Sequence, residues 1–302
     1  MKRLLAPGRE IFRWYLRKFP LRDGKAFFYR WLAPRLTPKD RFVTITMEAG
    51  FRLNLDLQDE VQHKMYFFGE YDERSEARML RRLLAPHEVF YDVGANIGYF
   101  TLLAATALQH TGQVAAFEPG QEAFARLRGN LALNPYGNIL AYKVAVTDRE
   151  GEATLFSSRG GADGCASLYA GGPEPKSREV CRTVALDGFA ASSGLPAPDF
   201  IKIDVEGAEL SVLKGAGNLL AHHQPLLLVE MKEATLTAAG TNKREIQEFL
   251  AGFGYQPAFP YRRRWHRGHD VTGIRSRNIL WFDPHKEAHQ AKMARLPLLG
   301  LG

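Results

Sequence analysis

The chain has 302 residues, 45% hydrophobic and 24% charged, a globular composition that excludes a disordered or collagen-like protein and suffices for one large domain or two small ones. Two cysteines, Cys165 and Cys181, are too few for a disulfide scaffold and point to a reducing, cytoplasmic setting; no apolar run approaches the roughly 20 residues that span a bilayer. The net charge of +7 sits at the ends, with nine Lys/Arg against two Asp/Glu in residues 1–30, nine against three in 260–302 and 22 against 28 between them, which argues against a groove for a nucleic-acid backbone.

Residues 1–30 have helical periodicity, with Ile11, Phe12, Tyr15, Leu16 and Phe19 on one face and Arg9, Arg13, Arg17 and Lys18 opposite. Such a basic amphipathic helix either docks on its own domain or serves as a membrane-surface or partner-binding helix. Two strands around Ala49-Gly50, Phe42 to Met47 and Phe51 to Leu55, form a hairpin pattern. A helix follows near 75–85. From residue 88 strands and helices alternate: strand 89–91, helix 98–109, strand 114–117, helix 121–133, strand 139–146, strand 200–203, helix 207–220, strand 226–229, helix 242–253, and strands near 255–259 and 278–282. Apolar strands alternating with helices predict a doubly wound α/β fold, a mostly parallel sheet covered on both faces. The Gly- and Pro-rich stretch 157–178 interrupts the pattern as a long loop with the character of a lid. The expected divisions are a basic extension over 1–40, a hairpin and cap helix over 41–86, the α/β domain over 87–283 and a loose basic tail over 284–302.

The chemistry concentrates after the first strand of that domain. Asp92-Val93-Gly94-Ala95-Asn96-Ile97-Gly98-Tyr99 joins strand to helix, where glycines let the backbone turn tightly and approach a ligand. It is one glycine short of the dinucleotide pattern, and Asp92 would repel a pyrophosphate by about 1 kcal/mol even at bulk-water screening. A ligand with an ammonium and a sulfonium and no phosphate, S-adenosyl-L-methionine, is attracted instead. Glu118, in Phe117-Glu118-Pro119, lies 20 residues beyond Gly98 at the end of the second strand, where a carboxylate accepts bonds from ribose hydroxyls.

A second cluster, Lys202-Ile203-Asp204-Val205-Glu206-Gly207-Ala208-Glu209, follows the strand expected beside the first, and Glu230 ends the next one. Asp204, Glu206 and Glu230 thus face the crevice at the strands' carboxyl ends. They could supply a general base for a hydroxyl nucleophile, bind a hard cation such as Mg²⁺, or cap a helix and hold the ligand's amine; the reading adopted has no metal. Glu209 suits a helix start. The histidines show no metal-ligand spacing, and the segment Arg262-Arg263-Arg264-Trp265-His266-Arg267 reads as a solvated loop or an anion contact.

Taken together, the segments Asp92 to Phe100, Phe117 to Pro119 and Asp204 to Glu209, with Leu213 and Gly215, resemble the FkbM-type methyltransferases over roughly residues 50–283. The resemblance implies a seven-stranded class I fold, S-adenosylmethionine as cofactor and methyl transfer to the oxygen of a sugar, polyketide or lipid-like acceptor. It implies that Asp92, Gly94, Ala95, Asn96 and Gly98 hold the methionine part, with Asp204 near its amine, that Glu118 and Pro119 flank the ribose, and that Val146 lies by the adenine. Gly69-Glu70-Tyr71-Asp72 resembles the segment that closes over the cofactor, so Tyr71 joins the binding set. The family more often has glutamate where Asp72 stands, and an imidazole or amide where Lys232 stands.

Two other readings compete. A nicotinamide-dependent oxidoreductase is disfavoured by Asp92 and the missing glycine. A non-catalytic scaffold with this fold, attached to membrane through residues 1–30, would bind the cofactor without turnover. A nucleic-acid methyltransferase is disfavoured by the acidic middle and by the lack of an Asn/Asp-Pro-Pro-aromatic motif for exocyclic amines.

Overall fold

A computed structural model of the protein describes residues 2–19, 24–71, 73–109, 111–157, 166–169, 177–261, 264–296 and 298–299. Most of the expected loop 157–178, with Cys165, lies outside the described residues, as do Asp72, Arg262 and Arg263. The chain forms two compact units, Met1–Arg74 and Ser75–Gly302.

The first unit contains α1 (Lys2–Lys18), α2 (Lys25–Leu36), the hairpin β1 (Phe42–Thr46) and β2 (Arg52–Asp56), and α3 (Glu60–Phe68). The hairpin pairs Phe42 with Asp56 through Thr46 with Arg52, as the alternation predicts. Helix α3, unforeseen in sequence, starts where Asp59 accepts the Gln62 N–H at 2.8 Å and stops at Gly69 in the left-handed conformation. The single helix expected over 1–30 is two helices, and its faces are partly reversed. Phe12 and Leu16 are buried as expected, but Arg13 and Arg17 also turn inward. Arg13 Nε donates to the Tyr66 carbonyl at 3.2 Å, and Arg17 donates to the carbonyls of Tyr66 at 2.7 Å and Phe67 at 3.2 Å. These belong to the last turn of α3, whose carbonyls have no partner within the helix. Arg9 does the same for Leu36 at the end of α2, at 2.8 Å.

In the second unit, α4 (Arg74–Leu83), whose first residue falls at the division, precedes β3 (Val89–Val93), α5 (Tyr99–Ala107), β4 (Gln113–Phe117), α6 (Gln121–Ala132), β5 (Ile139–Tyr142), β6 (Ala145–Thr147), β7 (Gly151–Ser157), β8 (Ala166–Ser167) and β9 (Ser177–Ala185). There follow α7 (Leu186–Ser192), β10 (Phe200–Ile203), α8 (Glu209–Lys214), β11 (Leu226–Glu230), α9 (Glu233–Ala238), α10 (Lys243–Ala251), β12 (Gln256–Tyr261), β13 (Arg264–Arg267), β14 (Asn278–Phe282), α11 (Glu287–Met293) and β15 (Leu298–Leu299). The large sheet has the order β15-β13-β12-β14-β11-β10-β3-β4-β5. Its seven strands from β12 to β5 are the expected doubly wound sheet, with β14 antiparallel to both neighbours, and β13 and β15 extend one edge. Strands β3, β10 and β11 are buried at every residue, as parallel strands covered on both faces must be. The chain reverses winding direction between β3 and β10, so their carboxyl ends flank the crevice where ligands bind in such sheets.

Three sequence expectations change here. The strand expected over 139–146 is split: β5 edges the large sheet, whereas β6 joins a second sheet of order β6-β9-β7-β8. Lys143, at the break, ion-pairs with Glu179 of β9 at 3.0 Å and fastens the crossover. The strands that flank the expected long loop pair as an antiparallel ribbon, β7 against β9, from Gly151 with Thr183 to Ser157 with Ser177. The tail 284–302 is not loose throughout, because α11 buries His289, Lys292 and Met293, and Lys292 bonds Glu88 at 2.7 Å.

Candidate active site

Read across the sheet, four neighbouring strands each carry a carboxylate at or just past the carboxyl end: Glu230 on β11, Asp204 after β10, Asp92 on β3 and Glu118 after β4. Between the last two runs the glycine turn. Gly94 has φ +83°, and a Cβ there would lie 1.8 Å from the Asp204 carbonyl oxygen, so glycine is obligatory. The N–H groups of Gly94 and Ala95 both donate to Phe117 O, at 3.0 and 2.9 Å, which ties the turn to β4. Gly98, at φ +92°, opens α5. Asn96 is exposed and left-handed at φ +49°.

Asp92 is fully buried. Its Oδ2 accepts from the Thr101 hydroxyl at 2.6 Å, while its Oδ1 is buried without a hydrogen-bond partner among the described residues. Burial pushes the Asp92 carboxyl above its usual range, against the opposing pull of Lys202 and Thr101. Glu118 is also buried; its two oxygens accept from the N–H groups of Asn96 at 2.8 Å and Gly120 at 2.9 Å. Burial pushes its pKa up to about 7 despite those bonds. A carboxylate has about four lone-pair positions, so Glu118 has acceptor capacity beyond these two bonds. Pro119, half-buried, follows directly.

On the other side of the crevice, Lys202 Nζ donates to Asp204 Oδ2 at 2.9 Å and lies 4.8 Å from the centre of the Phe100 ring. Burial alone would raise the Asp204 pKa; the charge and hydrogen bond of Lys202, helped by a Glu230 hydrogen bond and the charge of Lys232, hold it below its usual value. Lys232 Nζ donates to Glu206 Oε2 at 3.3 Å. Glu209 accepts from the N–H groups of Val205 and Gly207 at 3.0–3.2 Å and closes the turn that carries Glu206. Burial pushes its pKa up to about 7. Asp204, Glu206 and Glu230 offer oxygens within 4.8 Å of one another, a spacing a cation could bridge. Two ammonium groups already stand there.

The residues from Asp92 onward match a family model described as the Methyltransferase FkbM domain, over residues 92–257. The chain belongs to the FkbM methyltransferase family. Similar curated proteins include the hexuronic acid methyltransferase AglP of Haloferax volcanii, 32% identical over 60% of this chain and 70% of that protein. The 2-O-methyltransferase NoeI of Sinorhizobium fredii is 26% identical over 71% of this chain and 94% of that one. The 31-O-demethyl-FK506 methyltransferase FkbM of Streptomyces tacrolimicus is 33% identical over 44% and 60%. A solved FkbM methyltransferase from Methylobacillus flagellatus aligns over 86% of this chain and 60% of its own, at 17% identity and a TM-score of 0.44; the fold assignment stands on the strand order above.

In this FkbM methyltransferase the structure brings Asp92, Gly94, Ala95, Asn96, Gly98, Glu118, Asp204, Glu206 and Glu230 to adjacent strand ends and turns. Val146 is in β6 with its side chain packed in the hydrophobic core. Tyr71 belongs to the first unit, half-buried after α3. Sequence reasoning gave no role to Thr101, Lys202 or Lys232. The available signal for Lys202 was a lone charge inside an apolar parallel strand, which must find a partner when buried.

Proposed function

We propose that this methyltransferase uses S-adenosylmethionine to methylate a hydroxyl oxygen of a small sugar- or polyketide-like acceptor. The observation that carries the cofactor reading is the buried Oδ1 of Asp92 beside the glycine turn, without a hydrogen-bond partner among the described residues. A carboxylate kept from water needs a cation or a donor. A nicotinamide dinucleotide would put phosphate charge there instead, and family membership also weighs against that alternative. When bound, S-adenosylmethionine supplies an electrophilic methyl group on a sulfonium.

Asp92 and the Gly94–Gly98 turn would hold the methionine part, and Glu118 the ribose hydroxyls. The segment of β6 around Val146 is the proposed neighbour of the adenine. On the acceptor side Glu206, oriented by Lys232, is the proposed base for the hydroxyl proton, with Asp204 and Glu230 as the adjoining carboxylates. The chain's remaining task is to align the oxygen and exclude water. Because Lys202 and Lys232 already pair with Asp204 and Glu206, turnover should be unchanged by EDTA. The oxygen acceptor is supported by the names of two relatives, which specify O-methyl chemistry, and the sugar class by the hexuronic acid enzyme.

Calorimetric titration with S-adenosylmethionine and with NADH tests the cofactor. Methyl-labelled S-adenosylmethionine, offered with uronic acids, neutral sugars and macrolide alcohols, tests the acceptor. Binding of NADH alone would overturn the reading; cofactor binding with no label transferred to any hydroxyl would favour the scaffold alternative.

A further inference from the structure

In the first unit, the face of α1 and α2 turned away from its core is aromatic. Ile11, Trp14, Phe27 and Trp31 are 57–68% exposed and Phe28 40%. Nine large hydrophobic side chains are exposed among the described residues, and these five of them fall within 21 residues of sequence. They form one patch. Ring centroids connect Trp14 to Phe19 at 6.5 Å, Phe19 to Tyr15 at 5.2 Å, Tyr15 to Phe28 at 5.9 Å and Phe28 to Phe27 at 5.7 Å. Trp31 lies one helical turn beyond Phe27, and Ile11 nearly one turn before Trp14. Scattered surface apolar residues are ordinary, but a contiguous patch marks an interaction site.

The charges around it indicate the partner. Residues 1–40 hold eleven Lys/Arg against three Asp/Glu. Arg9, Arg13 and Arg17 turn to helix-end carbonyls, whereas Lys18, Arg30, Arg35 and Lys39 are exposed, although Lys18 pairs with Glu48 at 3.1 Å and Arg35 also donates to the Trp31 carbonyl at 2.7 Å. The Arg35 guanidinium lies 5.3 Å from the centre of the Trp31 ring, so charge and aromatic surface meet at one edge. Tryptophan and phenylalanine bordered by lysine and arginine suit the headgroup level of a bilayer, where rings enter and cations remain at the phosphates. Among the described residues no helix is long and apolar enough to cross a membrane, which fits helices lying in the surface plane. A symmetric pairing of two copies through this patch would bring two strongly basic segments together, which disfavours it.

We propose that the exposed faces of α1 and α2 dock on an anionic lipid bilayer, with Trp14, Phe27, Phe28 and Trp31 entering the interface. The apolar stripe read from the sequence is not the whole of this surface, because Phe12 and Leu16 are buried in the unit.

Sedimentation of the full chain with phosphatidylcholine vesicles, with and without phosphatidylglycerol, provides the test. Binding should require the anionic lipid and fall steeply with salt. A Trp14→Ser/Trp31→Ser variant should bind at least roughly tenfold more weakly, since the rings carry the buried apolar area. An Arg30→Glu/Arg35→Glu variant should lose roughly 25-fold or more, at about fivefold per basic side chain. Trp265 and Trp281 are buried, so a blue shift of tryptophan emission on adding vesicles reports Trp14 and Trp31. Thermal melting checks that the variants fold, and the charge variant decides if the tryptophan variant does not. The proposal is overturned by a wild-type chain that ignores anionic vesicles at low salt, or by folded variants that bind as tightly as wild type. A dimer that the tryptophan variant dissociates would also overturn it and assign the patch to a second copy.

Discussion

Lys202 stands in register with Asp92 across the β3–β10 pair, and its Nζ lies 2.9 Å from Asp204 Oδ2. One buried ammonium therefore serves carboxylates on both sides of the point where the sheet reverses its winding. Lys202 is 2% exposed, so its desolvation must be offset by close partners, among them these carboxylates and the Phe100 ring. Lys202→Met should deprive two carboxylates of a shared counter-charge and cost about 3–5 kcal/mol of stability, the usual scale for breaking a buried pair. Urea denaturation measures this. A loss under about 1 kcal/mol would mean that water already reaches the pair.

Asp92 allows stability and binding to be separated. Asp92→Asn removes a buried charge that folding disfavours, so the variant should be as stable as wild type or more so. S-adenosylmethionine binding should weaken by about 1.5–3 kcal/mol, the scale of one charge-assisted hydrogen bond. Calorimetry and thermal melting on the same preparation test both halves; unchanged affinity would remove Asp92 from the cofactor site.

Glu118 predicts a pH dependence. Its pKa is raised to about 7, so the folded protein takes up this proton more readily than the unfolded chain. Folding is thus favoured below the unfolded value, and the contribution is lost as pH rises through about 7. Cofactor affinity should run the other way, because the ionised form is the better acceptor for ribose hydroxyls. Below pH about 7 the dissociation constant should rise by up to roughly tenfold per pH unit. Glu118→Gln should bind more weakly at pH 8 and show a flat profile; a Gln variant that keeps the wild-type slope would place the titration elsewhere, with Glu209 the next group to test.

What the sequence disclosed follows from periodicity and from turn chemistry. The parallel strands were legible because burial on both faces writes continuous apolar runs, as in Leu226 to Val229. The glycine turn was legible because Gly94 and Gly98 stand between a strand and a helix with Asp92 ahead of them. The inward turn of Arg13 and Arg17 was not: an arginine that caps a distant helix end has the same pattern as one in water. The break at Lys143 was hidden because β5 and β6 differ in their partners, β4 and β9, and not in their own residues. Lys202 escaped assignment because its meaning lies in its neighbours Asp92 and Asp204, and only strand register reveals both.

Glu206 is the residue on which the acceptor side can be decided. It adopts φ +50° without being glycine, a conformation that costs roughly 1–2 kcal/mol and must be maintained by its surroundings. Two contacts do so: Ser167 Oγ donates to the Glu206 carbonyl at 2.7 Å, and Lys232 holds the carboxylate. Ser167 lies in β8, paired with Phe156 of β7, so the ribbon sheet reaches the turn that presents the proposed base. Glu206→Gln should keep S-adenosylmethionine affinity and lower kcat by ~10²-fold or more if it removes the hydroxyl proton. If it only positions acceptor, KM should rise with kcat maintained. Ser167→Ala leaves the carboxylate in place and loosens its support, so it should reduce kcat less than Glu206→Gln does, by roughly tenfold at most for one neutral hydrogen bond. If Glu206→Gln changed neither kcat nor KM, Glu206 would have neither role, and the same substitutions at Glu230 and Asp204 would then identify which remaining carboxylate meets the acceptor.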